Sequence, residues 1–304
     1  YINIFVNING VDTARPFAIS SSPSDREFYD LTVKRAEGGF VSPFLIDETS
    51  IDQIMTSSGP MGSFYHNPLF HGDDLIFFAG GSGIAPARSM VKSIIDKDLS
   101  LKLHIIYSNS YEDDVIFADE IRGYCKDNKN IKLTEIVSRP KPDYQGLKGR
   151  VSMDLVGSLL DQAENKMYYI CGPTPFNLSA VNILRELGVK DRRMLVELNG
   201  PPKQPETQDN WPQGISPDDT ITVTVNGKNS FAAKVGEPLL NSLERNGYSA
   251  ENACRSGECS LCRIKLVEGE IFNPSESKLR KSDRKFGWIH SCVAYPTSDV
   301  EVKL

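Results

Sequence analysis

Short apolar runs alternate with helical patterns from Leu75 to about Leu198. Leu75–Ala79, Leu103–Tyr107, Ile131–Val137, Met167–Cys171 and Met194–Leu198 read as strands, and the amphipathic stretches Ala87–Ile95 and Val115–Tyr124 as helices between them. Strand–helix alternation of this kind predicts an α/β domain with a doubly wound parallel sheet over residues 71–199. Ahead of it, residues 1–70 show short alternating runs punctuated by Gly and Pro, the pattern of a β-barrel. Residues 200–218 are polar and proline-rich and read as a linker. Ile221–Val225 then alternates with period two, reaches the turn Asn226-Gly227 and opens a further compact domain over residues 219–304.

Composition narrows the picture. A chain of 304 residues with 39% hydrophobic and 24% charged side chains can bury two or three separate cores. The net charge of −6 leaves no basic footprint for nucleic acid. No apolar run approaches the roughly 20 residues of a membrane span, and no secretory signal is visible. Four of the six cysteines lie near the C-terminus. That bunching argues against a disulfide scaffold and for a metal site in a reducing, cytoplasmic compartment.

Cys254, Cys259 and Cys262 have the C-x4-C-x2-C spacing of a plant-type [2Fe–2S] site, and Cys292 supplies a distant fourth thiol. Three thiolates on one tight loop wrap such a cluster, and the fourth closes the second iron. Gly257 and the small Ser256 and Ser260 let the backbone curl so that N–H groups face sulfur. Zinc would ask for paired C-x2-C motifs or histidines, and only His290 is near. The segment resembles the plant-type ferredoxins over its whole length, which implies an α+β β-grasp domain.

A second constellation lies in the α/β region. Gly80, Gly81, Ser82, Gly83 and Pro86 fall where a strand ends and a helix opens, so the backbone can approach a pyrophosphate. Another strand ends in Cys171-Gly172-Pro173. Together these motifs resemble the nicotinamide-nucleotide domain of the ferredoxin–NADP reductase superfamily. The resemblance implies that the glycine loop takes the pyrophosphate, that Cys171 lies beside the nicotinamide, and that Glu197 is the acidic residue near that ring. Ser138 and Arg139 end the third strand, where relatives place groups near the adenosine ribose. An arginine there suits a 2′-phosphate or is simply a surface cation, so NADH and NADPH both stay open.

The first segment carries matching signatures. Arg15-Pro16-Phe17-Ala18-Ile19-Ser20-Ser21 resembles the family's Arg-x-Tyr-Ser-x-x-Ser flavin motif, with Arg15 facing the flavin phosphate and Phe17 stacking on its ring. Phe17 replaces the usual tyrosine, and Ala18 removes a hydroxyl that normally approaches flavin N5. Gly39, Val41 and Ser42 resemble the loop and helix start that hold a flavin pyrophosphate, and Gly59–Tyr65 the turn between flavin and nucleotide domains. These motifs favour FAD over FMN. The family barrel normally begins with strands that have no counterpart here, so the flavin barrel is expected to be incomplete at its start.

The resemblance implies a flavin-dependent NAD(P)H reductase. It would pass electrons from hydride through flavin, with Phe17, Cys171 and Glu197 nearest the chemistry, to the [2Fe–2S] cluster. Its protein acceptor would be a terminal oxygenase. Two alternatives stay open: an electron donor to an anaerobic metalloenzyme, and a ferredoxin-like carrier without flavin activity. Lys278, Arg280, Lys281, Arg284 and Lys285 form a basic run between the third and fourth cysteines, either a solvated face or a docking patch for an acidic partner. Cys125 reads as structural, and His66, His71 and His104 show no ligand spacing.

Overall fold

In the computed structural model, which describes residues 1–275 and 277–304, the opening alternation forms a hairpin of β1 (Ile2–Ile8) and β2 (Val11–Phe17). Its two-residue turn, Asn9-Gly10, has φ of 52° and 83°. Positive φ at both positions is the type I′ geometry that matches strand twist. After helix α1 (Val41–Asp47), β3 (Thr56–Pro60) adds antiparallel to β1, giving the order β2-β1-β3. These strands form a three-stranded antiparallel sheet, in keeping with the incomplete flavin barrel expected here.

The α/β pattern is realised as β4 (Asp74–Gly80), α2 (Ala85–Asp96), β5 (Lys102–Asn109), α3 (Ala118–Asp127), β6 (Ile131–Val137) and β7 (Leu147–Lys148). It continues through α4 (Met153–Leu159), β8 (Met167–Cys171), α5 (Thr174–Glu186) and β9 (Met194–Glu197). All strands run parallel in the order β7-β6-β5-β4-β8-β9. The pleat divides β4 between two cores. Leu75, Phe77 and Ala79 pack with Val91 of α2 and Ile121 of α3, whereas Ile76 and Phe78 pack with Val156 of α4 and Leu184 of α5. Covering both faces is what a continuous apolar strand requires. Each such fully buried side chain contributes on the order of 2 kcal/mol.

In the last domain, β10 (Thr220–Val225) and β11 (Asn229–Lys234) form a hairpin with Val225 opposite Asn229, its three-residue loop opening with Asn226 and Gly227 at φ 53° and 65°. They are followed by α6 (Leu239–Arg245), β12 (Arg263–Glu268), β13 (Ile271–Phe272), α7 (Lys281–Lys285), β14 (Trp288–His290), β15 (Tyr295–Pro296) and β16 (Val300–Lys303). The mixed sheet β11-β10-β16-β12-β14 holds α6, whose Leu239, Leu240 and Leu243 join Val223, Ile264, Ile289 and Val302 in one core. This is the β-grasp arrangement. The proline-rich stretch 200–218 lies on the same domain: Trp211 packs edge-on to Phe272 at 5.0 Å, and the Tyr295 hydroxyl donates to Pro202 O. One tryptophan is enough apolar surface to fasten an otherwise polar segment.

Two compact units divide the chain, residues 1–16, 35–61 and 200–304 in one and 17–34 and 62–199 in the other. Among the described residues no helix is long and apolar enough to cross a membrane.

Candidate functional site

In the parallel sheet, strand order reverses between β4 and β8, the point where doubly wound folds open a ligand crevice at the strands' carboxyl ends. Both glycine-bearing motifs end there, because Ala79 and Cys171 are register partners. The fit is set by backbone against backbone. A Cβ on Gly83 would collide with the Cys171 carbonyl, and one on Gly172 would meet Gly80 Cα at 3.1 Å. Gly81 takes φ 54°, a left-handed turn that redirects the chain into α2. Helix α2 continues from a tight turn over Gly81–Ile84, with Ala85 N–H on Ser82 O, and no side chain caps the start of either. Pro86 sits in its first turn, where the missing donor costs nothing. Tyr107 braces the loop from below, its hydroxyl within 3.2 Å of Gly81 O.

Cys171 is buried at the end of β8, and burial beside Glu197 pushes its thiol up to about 12. It therefore stays protonated at any physiological pH and acts by shape, not as a thiolate. Asn199, which the motifs do not announce, donates to Gly172 O at 3.0 Å and lies 3.9 Å from the Cys171 sulfur. Asn177 of α5 donates to the Glu197 carbonyl at 2.9 Å and ties β9 to the same crevice. Ser138 and Arg139 follow β6, with Ser138 N–H on Asn109 O and the exposed Arg139 guanidinium 3.4 Å from the Tyr111 hydroxyl.

Among the flavin-motif residues, Phe17 ends β2 half-buried, and Ala18 and Ile19 follow it, Ile19 bridging to Leu31. Ser20 donates to Asp30 O at 3.1 Å and so faces inward. Ser21 is fully buried, and its hydroxyl has no partner among the described residues. An orphaned buried hydroxyl at that motif position fits a bound flavin as its partner. Arg88 of α2, outside every motif, holds this segment: it donates to Ser20 O at 3.0 Å, pairs with Asp30 and Glu120, and stacks on Phe117. Gly39 sits in a turn closed by its N–H on Ala36 O, Val41 is buried, and the Ser42 hydroxyl accepts from Ala36 N–H at 2.9 Å.

Arg15 projects from β2 and donates to Thr13 Oγ1 at 2.7 Å. Burial, with Arg255 nearby and Glu244 opposing, pulls its guanidinium down to about 10. It stays cationic at neutral pH, as a phosphate ligand must.

The cysteine loop is curled by three left-handed residues, Arg255, Gly257 and Ser260, at φ 52°, 76° and 61°. That curl aims the N–H groups of Ser256 and Cys259 at Cys254 Sγ, at 3.4 and 3.3 Å. Hydrogen bonding from the Cys259 thiol and these N–H groups lowers the pKa of Cys254, while the same thiol contact raises that of Cys259. Cys262 and Cys292 bring their sulfurs to 3.2 Å. No three Cys, His, Asp or Glu among the described residues are gathered to hold a single metal ion. The thiols form two pairs instead, a donor set that suits two irons. His290 is no ligand candidate; it is fully buried, and its Nδ1 donates to Gly257 O at 3.0 Å, pinning the loop.

The chain matches three families in order: the Oxidoreductase FAD-binding domain over residues 1–66, the Oxidoreductase NAD-binding domain over 77–181, and the 2Fe-2S iron-sulfur cluster binding domain over 223–297. The ferredoxin reductase component of 3-ketosteroid-9-alpha-monooxygenase from Mycolicibacterium smegmatis is 30% identical across 95% of this chain and 81% of its own length. The glycine betaine monooxygenase reductase subunit of Pseudomonas aeruginosa is 25% identical across 99% of this chain and 85% of its own length. Among solved structures, phthalate dioxygenase reductase superposes with a TM-score of 0.70 at 20% identity, covering 100% of this chain and 87% of that one. The chain belongs to the ferredoxin–NADP reductase superfamily, among the reductase components that carry FAD-binding, NAD-binding and C-terminal 2Fe-2S domains. It is an NAD(P)H-dependent electron-transfer oxidoreductase whose cofactors are FAD and a [2Fe–2S] cluster.

Proposed function

We propose that this chain is the cytoplasmic reductase component of an oxygenase system, feeding single electrons to a terminal oxygenase. The proposed layout is a flavin domain over 1–70, a nucleotide domain over 71–199, a linker over 200–218 and a ferredoxin domain over 219–304. The observation that carries the reading is the switch-point crevice, where Gly83 lies directly on the Cys171 carbonyl. That contact leaves no room for a side chain where the two glycine-bearing motifs meet. The relatives named above, reductase parts of monooxygenases and a dioxygenase, support the choice of acceptor.

The chain's own groups do positioning work. Gly80–Gly83 and the first turn of α2 hold the pyrophosphate, and Ser138 with Arg139 borders the adenosine ribose. Cys171, Gly172, Pro173 and Glu197 border the nicotinamide. Arg15, Phe17 to Ser21, Gly39, Val41 and Ser42 hold FAD. Cys254 with Cys259, and Cys262 with Cys292, each ligate one iron. When bound, FAD supplies the conversion of a two-electron hydride into single-electron steps, which a one-electron cluster requires.

Anaerobic rapid mixing of the reconstituted protein with NADH and with NADPH tests this. Flavin absorbance should bleach first, and the rhombic electron-paramagnetic signal of a reduced [2Fe–2S] centre should follow. A bound flavin that neither nucleotide bleaches would sink the reading.

A further inference from the structure

We propose that Arg255, Glu244 and Thr13 form a buried latch that fixes the cluster loop to strand β2 beside Arg15, making Arg255 and Glu244 positioning residues for electron transfer from flavin to cluster. The inference rests on the function proposed above. Arg255 directly follows the ligand candidate Cys254 and is held at φ 52°, a conformation most non-glycine residues avoid. Its side chain is 6% exposed and ion-paired with Glu244 of α6, itself 8% exposed. The guanidinium also reaches Asn241 Oδ1 and Thr13 Oγ1, each at 3.2 Å. Thr13 Oγ1 donates to Glu244 Oε2 at 2.9 Å and accepts from both Arg15 and Arg255. The hydroxyl's single donor and both acceptor sites are therefore committed. One threonine thus joins the arginine assigned to flavin phosphate with the arginine adjoining a cluster ligand.

Stability alone is a poor account of this arrangement. A buried ion pair contributes little net stability against an apolar pair of the same volume, and Arg255 Nε is left without a partner. What buried charge pairs do well is fix register, since any shift leaves a desolvated charge unpaired. Register matters here because electron transfer between two held centres slows as the gap between them widens. The step served is balanced. A hydride brings two electrons to the flavin. Each electron then passes singly to the oxidised cluster, one ferric ion becoming ferrous, and on to the acceptor, while the proton goes to solvent.

The full-length holoprotein tests the latch, using Arg255→Met, Arg255→Lys and Glu244→Gln. In anaerobic rapid mixing with NADH or NADPH, flavin bleaching should stay within twofold of wild type. Cluster reduction should slow about tenfold in Arg255→Met and Glu244→Gln, with partial recovery in Arg255→Lys. The reduced cluster's electron-paramagnetic g-values should not move. Amide hydrogen exchange, measured without any nucleotide, should speed up together at residues 11–16 and 254–258. Cluster reduction within threefold of wild type in all three variants would overturn the latch, as would faster exchange at 254–258 with protection of 11–16 unchanged. A wild-type flavin that no nucleotide bleaches overturns the proposed function instead, and hydrogen exchange then decides the latch alone.

Discussion

In the crevice between β4 and β8, the glycine loop stays in place because main chain lies on main chain: Gly83 against Cys171, Gly80 against Gly172. In the cysteine loop, position comes from side chains that reach across the sequence. His290 holds Gly257 O, the Ser291 hydroxyl holds Cys262 O at 2.9 Å, and Arg255 pairs with Glu244 and Thr13. A steric site is sensitive to any added atom and indifferent to charge. A site held by donors and ions tolerates added volume better but fails when one partner is removed. The two loops should therefore break under different substitutions.

The largest contrast is expected from removing a proposed cluster ligand. Cys292→Ser, in a buried position paired with Cys262, should abolish the cluster's visible absorption and paramagnetic signal while nucleotide still bleaches the flavin within twofold of wild type. A cluster retained at full occupancy would remove Cys292 from the ligand set.

Next comes the same small change made in both loops. Gly83→Ala drives a methyl group into the Cys171 carbonyl, which cannot move without displacing β8. Overpacking of this kind costs about 1–3 kcal/mol, and kcat/KM for the nucleotide should fall at least 100-fold. Gly257→Ala instead meets Cγ2 of the buried Val293 at 2.8 Å, a side-chain atom and not main chain, at a residue with φ 76°. It should cost about 1–3 kcal/mol and leave nucleotide turnover intact. Thermal unfolding and steady-state kinetics on both variants measure the difference; equal kinetic effects would erase the contrast between the loops.

A smaller effect is expected at the surface of the cluster domain. Lys278 N–H donates to Gly257 O, so the basic run begins against the cysteine loop, and α7 presents exposed Lys281, Arg284 and Lys285 beside Phe286, which is 61% exposed. Arg280→Glu, Lys281→Glu, Arg284→Glu and Lys285→Glu together should slow reduction of an acidic acceptor such as cytochrome b5 about tenfold and invert its salt dependence. Unchanged rates across ionic strength would make the run a solvated face.

How much of this was legible in the sequence follows from the same contrast. Glycines placed for close approach are local signals, so Gly80–Gly83 and Cys171–Pro173 announce their crevice, and Ile131–Val137 and Met167–Cys171 match β6 and β8 to the residue. The turns at Asn9-Gly10 and Asn226-Gly227 are local in the same way. Arg255, Glu244 and Thr13 were invisible because their meaning depends on residues more than 200 positions apart being brought together. Arg88 was hidden likewise, an ordinary polar residue of an amphipathic helix until Ser20, Asp30, Glu120 and Phe117 surround it. The packing of 200–218 through Trp211 was masked by the prolines around it.

Acid gives the smallest test of the nucleotide side. His104 lies in β5, and its Nε2 is 2.9 Å from Thr134 Oγ1 of β6. Burial, then the neighbouring Lys132 and Lys166, pull the imidazole from 6.5 down to about 4, with Asp74 opposing weakly. A folded-state value below the unfolded one means that protons bind the unfolded chain first. Stability is therefore full above pH 6.5 and is lost as pH falls from there to about 4, by about 2–3 kcal/mol at the lower end. His104→Gln keeps a hydrogen-bonding group toward Thr134 but does not titrate. Its thermal midpoint should decline less than that of wild type between pH 6.5 and 4, and parallel declines would show that the acid sensitivity of this sheet resides elsewhere.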